Sequence, residues 1–235
     1  PQMVSTVLQA AETDELHLMG YCLGGVLTML YLAGHPDAPV SKHLTMATPI
    51  DFEHAMAPFG QMVRDGRIDM ASLLDGSGNL PASVIFNTFR MLAPTQEVVG
   101  YAALLNSLWD DAFIEEFQRT AGWSKDQVPV AGAAALQLED LFVKQNLLAG
   151  GRVPLGGRVV DFRDVTVPLL NIVGGYDHVV SPAGNGRLAE LVGTTDAQTV
   201  VHPTGHSGLV VGRHAPKRII PASIAWPRTD PRVTT

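Results

Sequence analysis

Four short apolar runs, at residues 16–19, 43–47, 169–173 and 199–201, each break off into turn-forming sequence. Runs of that length, bounded by glycine, proline and serine, have the character of buried strands. After the first run comes GYCLGG and then VLTMLYLA, whose length and leucine content predict a helix. Between the third and fourth runs SPAGNGRLAELVG supplies a helix-sized crossover, and residues 208–226 leave room for another after the fourth. Strands alternating with helices predict an α/β protein with a parallel sheet and βαβ connections.

The pattern changes between the second and third runs. In PTQEVVGYAALLNSL, Thr95 is placed as an N-cap, and Val98, Tyr101, Ala102, Leu105 and Leu108 recur at helical spacing. DDAFIEEFQRTAGW and AALQLEDLFVKQNLLAGG continue the helical theme, the latter running into a stop at Gly150 and Gly151. So much helix is too long for an ordinary crossover. Residues 51–165 are therefore expected to form an inserted helical cap over the C-terminal edge of the sheet, where open parallel sheets place their sites. Residues 1–50 and 166–235 are expected to form the α/β core.

Composition narrows the function. With 46% hydrophobic and 17% charged residues the chain has enough apolar material for a substantial core and is not of the disordered class. A formal charge of -7 without a basic cluster leaves no electrostatic footprint for nucleic acid. No apolar stretch approaches the roughly 20 residues of a membrane span. A single cysteine cannot close an internal disulfide, which fits a reducing, cytoplasmic setting.

That cysteine is the centre of the candidate chemistry. Gly20-Tyr21-Cys22-Leu23-Gly24 has the G-x-nucleophile-x-G form of a nucleophile elbow, with cysteine in place of serine. The turn from strand to helix must be tight enough that flanking side chains would collide, hence glycine on both sides. The sulfur would then lie at a helix N-terminus, whose unpaired N–H groups favour a thiolate, and the Leu23 N–H would face a tetrahedral oxyanion. A lone cysteine is more commonly an inert, buried small hydrophobe. The preceding strand, the glycine bracket and the following helix favour the elbow.

An elbow enzyme carries its acid after a late strand and its histidine beyond the last one. Asp177 follows PLLNIVGGY and His206 lies in VVHPTGHSGL, so both fall in the required order. His206 is the expected base and Asp177 the group that orients its ring; against this stand a solvated loop histidine and a turn carboxylate. Tyr21 and His178 are candidates to line the site. His17 and His43 sit within strands as core or edge residues, and His35, His54 and His214 have a surface-loop context. His202 and His206 have a metal-like spacing, but Pro203 and Gly205 oppose the helix that would align them, so no metal is expected. The glycine pairs at 150–151, 156–157 and 174–175 lack the lysine and spacing of a phosphate loop and are read as turns.

Taken together, GYCLGG, ATPIDF, LAPTQEVVGY, LGGRVVDFRDVTVPLLNI, GYDHVVSP and PTGHSGLVVG resemble the catalytic subunit of polyhydroxyalkanoate synthases, the class III type above all, from about residue 16 to 226. The resemblance implies an α/β-hydrolase fold beneath a helical cap, with Cys22, Asp177 and His206 as the triad that polymerises 3-hydroxyacyl-coenzyme A, short-chain substrates such as 3-hydroxybutyryl-coenzyme A being expected. It implies no cofactor beyond the coenzyme A of the substrate. The implied partners are a second copy and a non-catalytic synthase subunit at the surface of a cytoplasmic polyester granule. Phe86, Phe89, Leu104 and Leu105 are candidates for the apolar cap surface, though each is equally readable as helix packing. Synthases of this type carry further strands before the elbow, and few residues precede Cys22 here. The expectation is a partial sheet, lacking N-terminal strands, in a partial chain that is poorly soluble or inactive alone. Two alternatives stand beside this reading: a cysteine hydrolase resembling dienelactone hydrolase, which normally lacks a large cap, and a catalytically inactive granule-associated binding protein.

Overall fold

The four apolar runs become four adjacent parallel strands in the computed structural model, which describes residues 2–92, 95–211 and 215–226. The chain begins with α1 (Gln2–Ala11), β1 (Leu16–Tyr21), α2 (Leu23–Gly34) and β2 (Val40–Met46). It continues through α3 (Ala57–Arg64), β3 (Asn79–Leu80), α4 (Ala82–Leu92), α5 (Gln96–Leu105), α6 (Asp111–Lys125), β4 (Val130–Ala131) and α7 (Gly132–Leu138). There follow β5 (Arg152–Leu155), β6 (Arg158–Asp161), β7 (Leu169–Gly174), the short α8 (Pro182–Asn185) and α9 (Leu188–Leu191), β8 (Ala197–His202) and α10 (Ile220–Ala225). Two compact units result. One holds the chain up to Ala55 and from Asn146 onward, and the other is Met56–Gln145.

In the first unit the strand order is β1-β2-β7-β8. The inner strand β7 buries all six of its residues, whereas the outer β8 buries none, because only inner strands are covered by neighbours along both edges as well as by helices. Leu44 and Met46 of β2 and Leu170 and Ile172 of β7 share one face with Leu209 and Ile219. The alternate face is polar in part: buried Thr45 donates to Asn171 Oδ1 at 3.0 Å. Parallel register brings Tyr21 beside Met46, Met46 beside Ile172, and Gly174 beside His202, so the loops that follow β1, β2, β7 and β8 all leave from one edge. That common edge is where the sequence places Cys22, Asp177 and His206.

The β5–β6 hairpin belongs to the same unit and turns through Gly156 and Gly157, both at positive φ (60° and 80°), as a two-residue hairpin turn requires. The crossover at SPAGNGRLAELVG is two short helices, not one. The helix expected to run to Gly150 is also interrupted: α7 gives way to a wide turn over Glu139–Lys144, Asn146 takes a left-handed conformation (φ 50°), and a tight 3-10 turn spans Leu147–Gly150.

The second unit is helical apart from the two-residue antiparallel pairing of β3 with β4. Met70, Leu80 and Ala135 form its buried centre, with Phe59, Val84 and Leu136 packed around them. Asp110 caps α6 by accepting from the Phe113 N–H at 3.1 Å. Thr95 does stand at the N-cap position of α5, but its side chain makes no capping bond. The apolar stripe forms only as far as Leu105, where α5 ends, and Leu108 falls in the turn beyond it; Val98 and Leu105 remain 71% and 66% exposed, and Tyr101 reaches Phe117 at 5.7 Å between ring centroids. Helical spacing places side chains on one face; it does not supply the surface that would bury them. Among the described residues, no helix is long and apolar enough to cross a membrane.

Candidate active site

β1 ends at Tyr21 and α2 begins at Leu23, so the reversal from strand to helix falls on Cys22 alone. Its backbone takes φ 54° and ψ −125°, on the side of φ space that L-residues rarely occupy. Neighbouring structure holds it there: the Cys22 N–H donates to the Met46 carbonyl at 2.8 Å, and the Cys22 carbonyl accepts from Gly25 N–H at 2.9 Å. A β-carbon at Gly20 would lie 2.5 Å from Gly25 Cα and 2.6 Å from the Gly24 carbonyl oxygen, so glycine is obligatory before the nucleophile. The second half of the bracket is corrected by the structure. A β-carbon at Gly24 would meet nothing within 4 Å, whereas one at Gly25 would lie 1.8 Å from Thr48 Oγ1. The steric requirement therefore belongs to Gly20 and Gly25: at Gly20 it arises from the first turn of α2 folding back on β1, and at Gly25 from α2 pressing on the loop after β2.

Leu23 is the first residue of α2 and has no carbonyl four residues back within the helix, so its N–H is not consumed by helical pairing.

Asp177 lies in the turn that closes β7, where its own N–H donates to the Gly174 carbonyl at 3.2 Å. The side chain is fully buried. Oδ1 accepts from the N–H groups of Val179 and Val180, both at 2.8 Å, and Oδ2 accepts from His206 Nδ1 at 2.7 Å. One oxygen is thus anchored to backbone while the other faces the ring. His206 follows β8 through Pro203, Thr204 and Gly205, and its side chain is 13% exposed. The two loops fit closely because Gly174 has no side chain: a β-carbon there would stand 2.8 Å from the Thr204 carbonyl oxygen.

Burial by itself would lower the pKa of His206. Its hydrogen bond to Asp177, its hydrogen bond to the Cys22 side chain and the negative charge of both groups outweigh that and push it up to about 9. The imidazole is held cationic at neutral pH, with Nδ1 on the carboxylate and the remaining nitrogen for the sulfur. Cys22, Asp177 and His206, separated widely in sequence, therefore meet in one place. Tyr21 lines the same place: its hydroxyl donates to the His206 carbonyl at 3.3 Å and its ring lies 5.0 Å from the imidazole centroid. Burial, then the charges of Cys22 and Asp177, raise the Tyr21 pKa far above its ordinary value, so it stays a neutral phenol. His178 is exposed and makes no hydrogen bond to these residues.

The other histidines are engaged elsewhere. His17 Nδ1 lies 3.2 Å from Ser41 Oγ, His35 Nδ1 lies 2.9 Å from the Tyr31 carbonyl, and His54 Nδ1 lies 3.1 Å from Asp51 Oδ2. His43 is wholly buried, with Nε2 2.9 Å from Thr28 Oγ1, and burial pushes its pKa down to about 4. Burial also lowers that of His202. His214 falls outside the described residues. Among the described residues, no group of three or more His, Cys, Asp and Glu side chains is placed to hold a metal ion. Sequence reasoning missed the Met46 carbonyl, the Val179 and Val180 N–H groups and the Gly25–Thr48 contact. Only the third left a trace, in the doubled glycine of GYCLGG.

A family model described as the alpha/beta hydrolase fold matches residues 1–212. The chain belongs to the alpha/beta hydrolase family. Relatives of this hydrolase-fold chain include proteins named poly(3-hydroxyalkanoate) polymerase subunit PhaC. That of Allochromatium vinosum is 33% identical over 225 residues, covering 95% of this chain and 62% of the relative. Those of Haloferax mediterranei and Synechocystis are each 30% identical, over 95% of this chain and 45% and 60% of their own lengths. The chain thus spans between 45% and 62% of the length of these relatives. Among solved structures, a hydrolase from Pseudomonas aeruginosa PA01 superimposes with a TM-score of 0.52 at 20% identity, over 95% of this chain and 69% of the other. The monoacylglycerol lipase of Paleococcus ferrophilus gives 0.54 at 15% identity, over 96% and 72%. Likeness at that level concerns the fold alone.

Proposed function

We propose that the chain carries the catalytic site of a polyhydroxyalkanoate synthase, an acyltransferase that joins 3-hydroxyacyl groups from coenzyme A thioesters into polyester. The observation that supports this most is a cysteine at a strained elbow, hydrogen-bonded to an imidazole that a buried carboxylate keeps cationic. The likeness to polymerase subunits over 95% of the chain supports this substrate class.

In this reading Cys22 Sγ, its proton held by His206, attacks the thioester carbonyl of a 3-hydroxyacyl-coenzyme A such as the 3-hydroxybutyryl form. The Leu23 N–H donates to the oxyanion that develops. As the tetrahedral intermediate collapses, the carbon–sulfur bond to coenzyme A breaks and His206 returns the proton to the departing thiol. One thioester has replaced another, so the acyl group remains activated. A 3-hydroxyl group then attacks an acyl carbonyl, His206 takes the hydroxyl proton, an ester forms and the sulfur leaves as thiolate. Asp177 keeps Nδ1 protonated and the ring aligned throughout. Water must lose this competition. The reading requires no cofactor apart from coenzyme A itself. It places the protein in the cytoplasm on a polyester granule, paired with a second copy and a non-catalytic synthase subunit.

The test is incubation of the intact protein with 3-hydroxybutyryl-coenzyme A. Release of coenzyme A together with insoluble polyester is expected. Release accompanied only by free hydroxyacid would transfer the assignment to a hydrolase of the dienelactone type. No release, with Cys22 alkylated no faster than a free thiol, would leave a granule-associated binding protein.

A further inference from the structure

Asp177 fixes only one nitrogen of the His206 ring, and His206 itself belongs to a loop rich in glycine, with Gly205 just before it and Gly208 just after. The backbone carbonyl of His206 accepts from Leu209 N–H at 3.3 Å, a local bond within the same turn. Its other partner comes from 185 residues away: the hydroxyl of Tyr21, the residue that immediately precedes the nucleophile. The phenol ring also lies against the imidazole, tilted by 43°, and packs on the cluster that contains Leu209.

We infer that Tyr21 is a positioning residue that sets the distance and angle between His206 and Cys22, its hydroxyl holding the backbone of the histidine loop and its ring the plane of the imidazole. The geometry makes the strand that carries the sulfur also carry the brace for its base, so displacement of one moves the other. Because burial keeps the phenol protonated, its hydroxyl remains a donor to the carbonyl. Packing alone would be served equally by phenylalanine; the bond to the carbonyl would not.

The inference rests on the Cys22–His206 pairing described above, and its test separates the two. The pH dependence of iodoacetamide alkylation at Cys22 is measured in the intact protein and in the Tyr21→Phe, Tyr21→Leu and His206→Ala variants, each with a thermal melt. In the parent the acid limb of the profile depends on the pairing with His206, so His206→Ala moves it up. Tyr21→Phe keeps the melting temperature, moves the limb up and slows alkylation at neutral pH about three- to tenfold, the worth of one ordinary hydrogen bond. Tyr21→Leu, which also loses the ring contact, moves the limb further. A Tyr21→Phe profile that superimposes on the parent's, with the parent still responsive to His206→Ala, overturns the positioning role alone. A parent limb that His206→Ala leaves in place overturns the pairing and the brace together.

Discussion

In the first unit β7 presents LLNIVG and all six side chains are buried; in the second, α5 presents QEVVGYAALL and leaves Val98, Val99, Tyr101 and Leu105 exposed. Both segments are apolar on average. The difference lies in what each has beside it. A central parallel strand is flanked by strands along both edges and layered by helices on both faces, while α5 has mainly α6 as a neighbour. Apolar sequence in the sheet is therefore converted into stability, and apolar sequence on α5 remains a property of the surface.

The sharpest way to divide the two regions is by function. Cys22→Ala is expected to reduce coenzyme A release by about 10⁴-fold or more, and Asp177→Asn by about 10²–10⁴-fold, because the ring of His206 loses its strongest raising partner. Both are read by thiol release; Cys22→Ala should melt close to the parent, whereas Asp177→Asn should melt lower because it also removes the partner that raises His206. A comparable loss from Leu105→Ala would break the contrast. In stability, Leu169→Ala should cost about 2–5 kcal/mol, whereas Leu105→Ala should stay within about 0.5 kcal/mol, both by urea denaturation. Next in size is the glycine pair of the elbow. Gly25→Ala must displace Thr48 and should destabilise by about 1–3 kcal/mol, while Gly24→Ala, with open space around the new methyl, should be neutral or gain slightly from helix propensity.

The smallest effect is on pH dependence, and two histidines act with opposite sign. His43 has a folded pKa of about 4, below its ordinary 6.5. Its contribution to stability is complete above that ordinary value and is lost as pH falls toward about 4. His206 is raised from 6.5 to about 9. Its contribution is complete below the ordinary value and is lost as pH rises through about 9. Melting temperatures measured across this range should sag at both ends, and His206→Ala should flatten the alkaline side only.

Much of the fold was legible because strand-forming runs are short, apolar and closed by turn residues. The runs at 16–19, 43–47, 169–173 and 199–201 lie within β1, β7 and β8 and overlap β2 to its last residue. The helical content between β2 and β7 was legible for the same reason of period. What periodicity could not convey was interruption. Asn146 adopts a left-handed conformation that many other sequences avoid, and nothing in the spacing of VKQNLLAGG marks it. The crossover breaks at Gly186, which looks no different from a tolerated helical glycine. At the elbow both flanking glycines were read as avoiding a collision within the turn; Gly20 does so, Gly24 has open space, and the second collision falls on Gly25 against Thr48, a residue of another strand's loop. Thr95 shows the reverse limit: a residue of the right type at the right position whose hydroxyl does not cap. The loops that carry Cys22, Asp177 and His206 follow β1, β7 and β8 and leave the same edge of the parallel sheet, which is why the order of the chain anticipated their meeting.

One hydrogen bond sets a boundary on how Cys22 can move. With its amide tied to the final carbonyl of β2, Cys22 cannot swing by unwinding the bend; rotation about the Cα–Cβ bond is the freedom left to its sulfur. Any bulky adduct must therefore be swept through an arc about a stationary backbone, and the accessible end of that arc, not flexibility of the main chain, decides how large an adduct the thiol can carry.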